Sequence, residues 1–278
     1  MSLAAETTWN VWRRILQEPD LQATLRNGTL DDDLAKTGFA GEEAEVARYY
    51  QAHFKDAEWF VTSYRFRVVS AFINAVELGA PLTHRVLLAH GCDIREVAEA
   101  YYDDTGWLDD GPFVYRLCAK ILAWLRQSRF GADIAPLASV AKLETAAVEV
   151  LRAAADLDER VWDEPVPDRA AILAGLEKGR MPVWTGRART VATEFDIAPL
   201  FAAKGTSAAA LPDLPKEVCF FAAYLPDPTQ KHRFARIQAA DFDAAARLAT
   251  GTVTQDFVRE NIGSYAKFAK IRAVALSG

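Results

Sequence analysis

Four aspartates and a tryptophan lie together in one carboxylate-rich segment of the chain. The aspartates surround Trp107 in the segment 103–112, "DDTGWLDDGP". Hard cations such as Ca²⁺ bind several oxygen ligands, but this spacing is not that of an EF-hand loop. We therefore interpret the aspartates as solvated residues beside a helix. The tryptophan is interpreted as an exposed aromatic residue that contacts a partner protein.

The histidines and cysteines form no metal or catalytic motif. His84 and His90 are six residues apart, so on one continuous helix they would lie on different faces. Cys92 lies near His90, but no cysteine pair has the spacing of a zinc site or a redox motif. No local pattern indicates a Ser/His/Asp or Cys/His catalytic group. We predict no catalytic residue, metal ligand or cofactor site in this chain.

Two arginines lie within a predicted helix that must also bury apolar residues. Arg65 and Arg67, in "SYRFRVV", are about 200° apart around a helix axis. Both cannot face solvent if one face of the helix packs against a core. We expect one of them to pair with a carboxylate, Glu77 or Glu144 being the candidates.

Composition and charge restrict the class of protein. The chain has 278 residues, of which 51% are hydrophobic and 25% charged, and its formal net charge is −6. This charge argues against a protein that coats nucleic acid. The N-terminus lacks the apolar core of a signal peptide, and no apolar run approaches the roughly 20 residues of a membrane helix. We expect a soluble cytoplasmic protein with reduced thiols and no membrane partner.

The pattern of elements changes near Trp162. Before it, apolar residues recur at helical spacing; after it, prolines punctuate shorter elements. The patterns predict a strand in 186–197, a β-hairpin in 216–238 and two helices in 239–263. We predict an α+β, mostly α protein. An N-terminal multi-helix bundle (1–160) would precede a small winged-helix-like α/β domain (161–278) with a three-stranded sheet.

The hairpin, "KEVCFFAAYLPDPTQKHRFARIQ", has two apolar runs around a Pro-Asp-Pro loop. Its first strand is apolar on both faces and should be covered on both sides. In its second strand, His232, Phe234 and Arg236 alternate with Arg233, Ala235 and Ile237. This alternation is typical of a half-buried strand with a basic rim. Such a sheet edge can accept an extended peptide through main-chain hydrogen bonds. An ordinary three-stranded sheet closed by 188–195 explains the same pattern equally well.

A DNA-binding function is the rival interpretation. The segment "TQDFVRENIG" offers Gln255, Arg259 and Asn261, residue types that contact base edges, with the hairpin as a wing. Lys267, Lys270 and Arg272 could contact phosphates. Residues 239–278 nevertheless hold five basic and four acidic side chains, which is a weak electrostatic footprint for DNA.

Residues 42–200 resemble a family of bacterial helical proteins encoded beside TIM-barrel, multinuclear-iron oxidases that modify ribosomally made peptides. The resemblance rests on an arginine-bearing helix, on short motifs within the following helices, and on the strand "RARTVATEFD". The motifs are Arg67, Ala80-Pro81, Ala98 to Tyr101, Tyr115 to Leu122, and Pro136 to Glu144. Some relatives carry a DNA-binding label. Others are the partner subunits of methanobactin, 3-thiaglutamate and bufferin-type pathways.

The resemblance implies a non-catalytic accessory subunit. In such pathways the TIM barrel holds the iron and oxidises peptide cysteines, while the partner subunit holds the leader of the precursor peptide through a small C-terminal α/β region. Iron is therefore expected in the partner oxidase, in a heterocomplex that also contains a cysteine-bearing precursor peptide. A winged-helix-like transcriptional regulator is the alternative. The predicted peptide-binding residues are Val218, Phe220, Tyr224, Phe234 and Arg236. The predicted oxidase contacts are Trp107 and Trp184.

Overall fold

The structure is a computed structural model that describes residues 5–109, 113–157, 162, 165–202 and 211–277. It is a mostly helical α+β protein with a small antiparallel sheet toward the C-terminus, as predicted. The described helices are α1 (Ala5–Gln17), α2 (Pro19–Asn27), α3 (Leu30–Thr37), α4 (Glu42–Ala52), α5 (Phe54–Gly79), α6 (Pro81–Ala89), α7 (Ile94–Thr105), α8 (Val114–Leu125), α9 (Arg129–Asp133), α10 (Leu137–Ala155), α11 (Arg169–Glu177), α12 (Ala198–Ala202), α13 (Ala239–Ala249), α14 (Gln255–Glu260) and α15 (Ile262–Lys270). The described strands are β1 (Pro182–Trp184), β2 (Ala188–Thr193), β3 (Cys219–Tyr224), β4 (Arg233–Ile237) and β5 (Val274–Leu276).

Backbone contacts divide the chain into two compact units. The first unit comprises Met1–Asn74 and Asp93–Phe113, and the second comprises Ala75–Cys92 and Val114–Gly278. This division does not coincide with the predicted boundary at residue 160. The reason is that α10, which ends before that residue, packs directly against β2 and β3.

The first unit encloses a core formed mainly by its N-terminal helices. The helices α2 and α3 each end at a glycine with positive φ, Gly28 at 73° and Gly38 at 69°, a conformation that costs other residues energy. These turns let successive short helices fold back and bury their apolar faces together. The buried core residues are Val11, Ile15, Leu21, Leu25, Leu30, Phe39, Ala44, Val46, Ala47, Phe54 and Val61.

The helix α10 is the central element of the second unit. It packs against α6 and α8 as well as against the sheet. Most of its circumference is apolar, as expected for a helix that is surrounded by other elements. Its residues Ala141, Leu143, Ala147 and Val148 are all fully buried, and the small alanine side chains allow close packing.

The strands form two antiparallel sheets. The three-stranded sheet has the order β2-β3-β4, with Val191 opposite Phe221 and Ala222 opposite Ala235. The predicted strand and hairpin are therefore confirmed. A second pair, β1 with β5, aligns Val183 with Ala275, and the sequence patterns did not predict it.

A separate core lies beneath the C-terminal helices of the second unit. It joins α11, α13, α14 and α15 with the ends of the two sheets. Its fully or nearly fully buried members include Ile172, Tyr265 and Phe268. Among the residues that the structure describes, no helix is both long enough and apolar enough to cross a membrane.

Candidate functional site

The β3–β4 hairpin is built by a local turn and a central apolar strand. In the connecting loop, Asp227 accepts hydrogen bonds from the main-chain N–H of Thr229 (2.8 Å) and from its hydroxyl (2.6 Å). Pro226 and Pro228 restrict the backbone around this turn. The β3 residues Phe221 and Ala222 are both fully buried although they point to opposite faces. The expectation that this strand is covered on both sides is confirmed.

Main-chain hydrogen bonding leaves one edge of the three-stranded sheet open. The Leu225 N–H donates to the Arg187 carbonyl (2.9 Å), so this pair of residues is a hydrogen-bonded pair. Alternation along an antiparallel strand then directs the N–H and C=O groups of Ala222 toward β4. By the same alternation, those of Phe234 and Arg236 point away from β3. No strand of the described residues pairs with this outer side of β4.

The opposite edge of the sheet is partly covered. The Trp184 indole N–H donates to the Ala188 carbonyl at 3.0 Å, at the start of β2. The Arg189 guanidinium donates to the same oxygen at 2.9 Å. The Trp184 ring also packs edge-on against Phe268, with 5.3 Å between centroids. The outer side of β4 is therefore the more accessible edge for an additional strand.

The side chains of β4 belong to two faces with different surroundings. Phe234 shares a face with Phe221, and both rings contact Phe201 of α12, Phe234 by stacking at 5.2 Å. On the other face, Phe220 of β3 packs against Phe242 of α13 at 4.9 Å. A strand added beside β4 would place its alternate side chains next to these two surfaces.

Arg236 is held in a cluster of polar side chains on the Phe234 face. Its guanidinium donates to Asp196 Oδ2 at 2.8 Å and to Glu217 Oε1 at 3.0 Å. The Glu217 hydrogen bond, with the attraction of Asp196, raises the pKa of Arg236. Burial, followed by the negative charge of Asp196, raises the pKa of the Cys219 thiol, which therefore stays protonated at neutral pH.

The same cluster contains atoms that could bind a metal ion. Ligand atoms of Asp196, Glu217 and Cys219 all lie within 4.8 Å of one another. Carboxylate oxygens with a thiolate sulfur suit a transition metal better than a hard cation. Arg236 already binds both carboxylates, however, so a metal ion would have to compete with its guanidinium. The geometry therefore favours a cationic side chain over a metal ion at this site.

A groove of about 780 Å³ lies at the end of the hairpin, beside the start of β4. Its walls combine aromatic and apolar side chains with basic ones. Burial, together with the nearby charge of Lys231, lowers the pKa of His232, so its imidazole is neutral at pH 7. The lining residues are Pro81, Leu82, Leu200, Phe201, Tyr224, Gln230, Lys231, His232, Arg233 and Phe234.

The structure does not bring the five predicted peptide-binding residues onto one face. Phe234 and Arg236 lie on the open edge strand, whereas Phe220 and Tyr224 lie on the central strand and point to the opposite face. Tyr224 also lines the groove at the hairpin end. Val218 precedes β3 and is 68% exposed.

The predicted exposure of Trp107 is wrong. Trp107 is only 4% exposed, because its ring stacks on Tyr102 with 5.4 Å between centroids. The Arg65 guanidinium covers the ring at 4.4 Å, and the indole N–H donates to Asp103 Oδ1. Trp184 is half-buried rather than exposed. The Trp107 side chain therefore presents little surface to a partner protein.

One of the two arginines pairs with a carboxylate, as predicted, but its partner is neither Glu77 nor Glu144. Arg67 pairs with Asp109 at 2.7 Å. Glu144 accepts hydrogen bonds from the main-chain N–H groups of Leu82 and Thr83 instead. These contacts join residues that are far apart in the chain, so spacing could not reveal them.

The residues proposed for DNA contact are partly engaged within the protein. Arg259 forms an ion pair with Asp256 at 3.0 Å. The Asn261 side-chain amide donates to the Phe257 carbonyl, and Lys267 pairs with the nearly buried Asp241. These contacts reduce the positive charge that is available to phosphates.

Sequence reasoning missed Asp196, Glu217 and Phe201. Phe201 supports Phe234 from another element, and the two acids bind Arg236 across 40 and 19 residues of chain. Only the strand pairing, once known, identifies them as neighbours. The chain matches no protein-family model and no curated protein sequence.

Proposed function

We propose that the chain is a non-catalytic, cytoplasmic accessory subunit that binds the leader of a ribosomally made precursor peptide. It would present the peptide to an iron-dependent TIM-barrel oxidase that modifies peptide cysteines. The iron would reside in the oxidase. This proposal follows from the family resemblance of the sequence.

The observation that supports it is the open edge of β4. An extended peptide needs main-chain N–H and C=O groups that point outward from the edge of a sheet, and Phe234 and Arg236 of β4 supply them. Main-chain pairing provides affinity that is largely independent of sequence. Side-chain selectivity would come from the groove at the hairpin end and from the Phe234 ring.

The groove indicates which side chains of a leader peptide would bind in it. Its wall is aromatic at Phe201 and Phe234 and basic at Lys231 and Arg233, and none of the described residues that line it is acidic. A leader that combines an apolar side chain with a nearby carboxylate would match both properties.

The first experiment is affinity purification of the tagged chain from its source cells, with mass spectrometry and iron analysis of the bound material. An iron-containing oxidase and a cysteine-bearing peptide are the expected companions. Recovery of the chain alone, without iron and with DNA that salt removes, would favour the regulator instead.

The second experiment isolates the main-chain contribution of the edge. Proline at 234 removes an N–H that points away from β3, so the pairing of β3 with β4 is preserved. Phe234→Ala is the matched control, because it also loses the ring but keeps the N–H. Binding of the co-purified peptide, measured by fluorescence anisotropy, should be much weaker in Phe234→Pro than in Phe234→Ala. Equal affinities of the two variants would exclude pairing at this position.

A further inference from the structure

An aromatic groove in the first unit contains a carboxylate and lies far in sequence from the hairpin. The groove has a volume of about 370 Å³ and lies at the junction of α1, α4 and α5. Its lining residues are Trp12, Tyr49, Tyr50, His53, Asp56, Ala57 and Phe60.

The aromatic rings that line this groove pack against one another in stacked and edge-on pairs. Trp12 stacks on Tyr50 with 5.2 Å between centroids and an interplanar angle of 23°, and Phe60 meets Trp12 edge-on at 6.4 Å. Tyr49 stacks on His53 at 4.5 Å. Two of these side chains remain open to solvent, Tyr49 at 60% and Phe60 at 55% exposure. Exposed rings of this kind offer their negative faces to a cation.

Asp56 supplies a negative charge at the same groove. Its carboxylate forms no ion pair or side-chain hydrogen bond with the described residues. No arginine or lysine of the described chain lies over the Trp12, Tyr49, Tyr50 or Phe60 rings either. The rings and the carboxylate together therefore attract a cation, and the described residues of this unit place none there.

The first unit itself shows which cation suits such a pair. The Arg14 guanidinium lies 4.2 Å from the centre of the Phe39 ring and pairs with Glu18 at 2.7 Å. Arg26 repeats the arrangement, 5.6 Å from the Phe54 ring and 2.9 Å from Glu58. In both cases a guanidinium is held between an aromatic ring and a carboxylate. The groove has the ring and the carboxylate without the guanidinium.

We propose that this groove binds an arginine side chain presented by a partner protein. A guanidinium is planar, so it can stack on the Tyr49 or Trp12 ring while its N–H groups donate to the Asp56 carboxylate. An ammonium group has no such plane. The site lies in the first unit, and it is independent of the peptide edge and of the function proposed for that edge.

The test uses three capped tripeptides, acetyl-Gly-Xaa-Gly-amide, in which Xaa is arginine, lysine or citrulline. Citrulline has nearly the shape of arginine but no charge. Binding to the full chain is followed at low salt by the NMR resonance of the Trp12 indole N–H, assigned with Trp12→Phe. The arginine peptide should shift this resonance saturably. The citrulline peptide should bind about tenfold more weakly, and the lysine peptide should fall between the two.

Matched variants locate the charge that is responsible. Asp56→Asn should weaken binding of the arginine peptide about threefold, and Tyr49→Ala should weaken it at least as much. Asp32→Asn is the control, because Asp32 is also an exposed aspartate in the first turn of a helix. The proposal is overturned if the citrulline or lysine peptide binds as tightly as the arginine peptide. It is also overturned if no peptide shifts Trp12, or if Asp32→Asn has the effect of Asp56→Asn.

Discussion

The carboxylate of Glu144 caps the first turn of α6 by accepting the main-chain N–H of Thr83 at 2.7 Å. Its second oxygen accepts the N–H of Leu82 at 2.8 Å. The residue before the helix is Ala80, which has no side-chain acceptor, and Pro81 has no N–H to satisfy. A buried carboxylate from α10 therefore replaces the local cap that α6 lacks.

This arrangement predicts a dependence of stability on pH. Burial raises the pKa of Glu144 from an ordinary 4.5 to about 7, although both hydrogen bonds oppose the shift. Between these values the folded state binds more protons than the unfolded state, so Glu144 makes the free energy of unfolding decrease as pH rises from about 4.5 to about 7. Glu144→Gln should remove this part of the slope. Because its amide can accept only one of the two main-chain N–H groups, the variant should also unfold at a lower urea concentration than the unmodified chain at pH 5.

The control for this prediction is Glu149→Gln, a half-exposed glutamate of the same helix that lies 3.7 Å from Arg189. It should retain the pH slope of the unmodified chain. Urea unfolding at several pH values between about 5 and 7.5 measures both variants. The assignment fails if Glu144→Gln keeps the full slope.

A close approach between α5 and α8 predicts the effect of a single methyl group. A Cβ atom at Gly79 would lie 2.7 Å from Cys118 Sγ and 3.0 Å from Cys118 Cβ. Gly79→Ala should therefore destabilise the protein by about 1–3 kcal/mol, since packed elements must move apart. Gly263→Ala is the control, because a Cβ there meets nothing within 4 Å, and it should be neutral or stabilising. Thermal unfolding that ranks the two variants equally would contradict the packing argument.

The predictions that held depended on local pattern. The hairpin was predictable because its turn chemistry and its strand alternation lie within 23 consecutive residues. The end of α5 at Gly79 also has a local signature, a glycine with Pro81 two residues beyond it. The physical reason is different, however: the glycine accommodates Cys118, a contact between residues 39 positions apart. Spacing within one helix carries no information about such a contact.

For Trp107, in contrast, the local pattern led to a wrong prediction. Its acidic neighbours suggested an exposed ring, but two of these aspartates bind groups within the protein. Asp103 accepts the indole N–H of Trp107, and Asp109 pairs with Arg67. Likewise, the basic rim of the sequence indicated that β4 is an edge strand, but it did not indicate which side of β4 is open. That depends on the strand order β2-β3-β4, which is a property of tertiary pairing.

The burial of Trp107 predicts a large effect on stability. Trp107→Ala removes a ring that stacks on Tyr102 and supports Arg65, and it should cost about 3–5 kcal/mol. Trp59→Ala is the comparison, because Trp59 is 67% exposed, and its loss should change the free energy of unfolding by less than about 0.5 kcal/mol. Guanidinium unfolding measures both. Similar losses in the two variants would show that Trp107 does not pack as described.

The three thiols should react in a defined order. None of them is in a disulfide; Cys92 is partly exposed, whereas Cys118 and Cys219 are buried. Burial raises the pKa of Cys118 far above the usual range, with Glu144 contributing, and it also raises the pKa of Cys219. Because the thiolate is the reactive form, an electrophile such as iodoacetamide should modify Cys92 first. Peptide mapping by mass spectrometry after timed labelling identifies the order.

The position of Cys219 makes this labelling informative about the edge strand as well. Its thiol lies 3.5 Å from Glu217, and Glu217 binds Arg236 of β4. Arg236→Gln should loosen this cluster and expose Cys219, so labelling of Cys219 should accelerate while that of Cys118 stays unchanged. Arg233→Gln is the matched control, because Arg233 lies on the opposite face of the same strand. Acceleration in both variants would indicate general loosening of β4, and no acceleration in Arg236→Gln would show that the ion pairs do not protect the thiol.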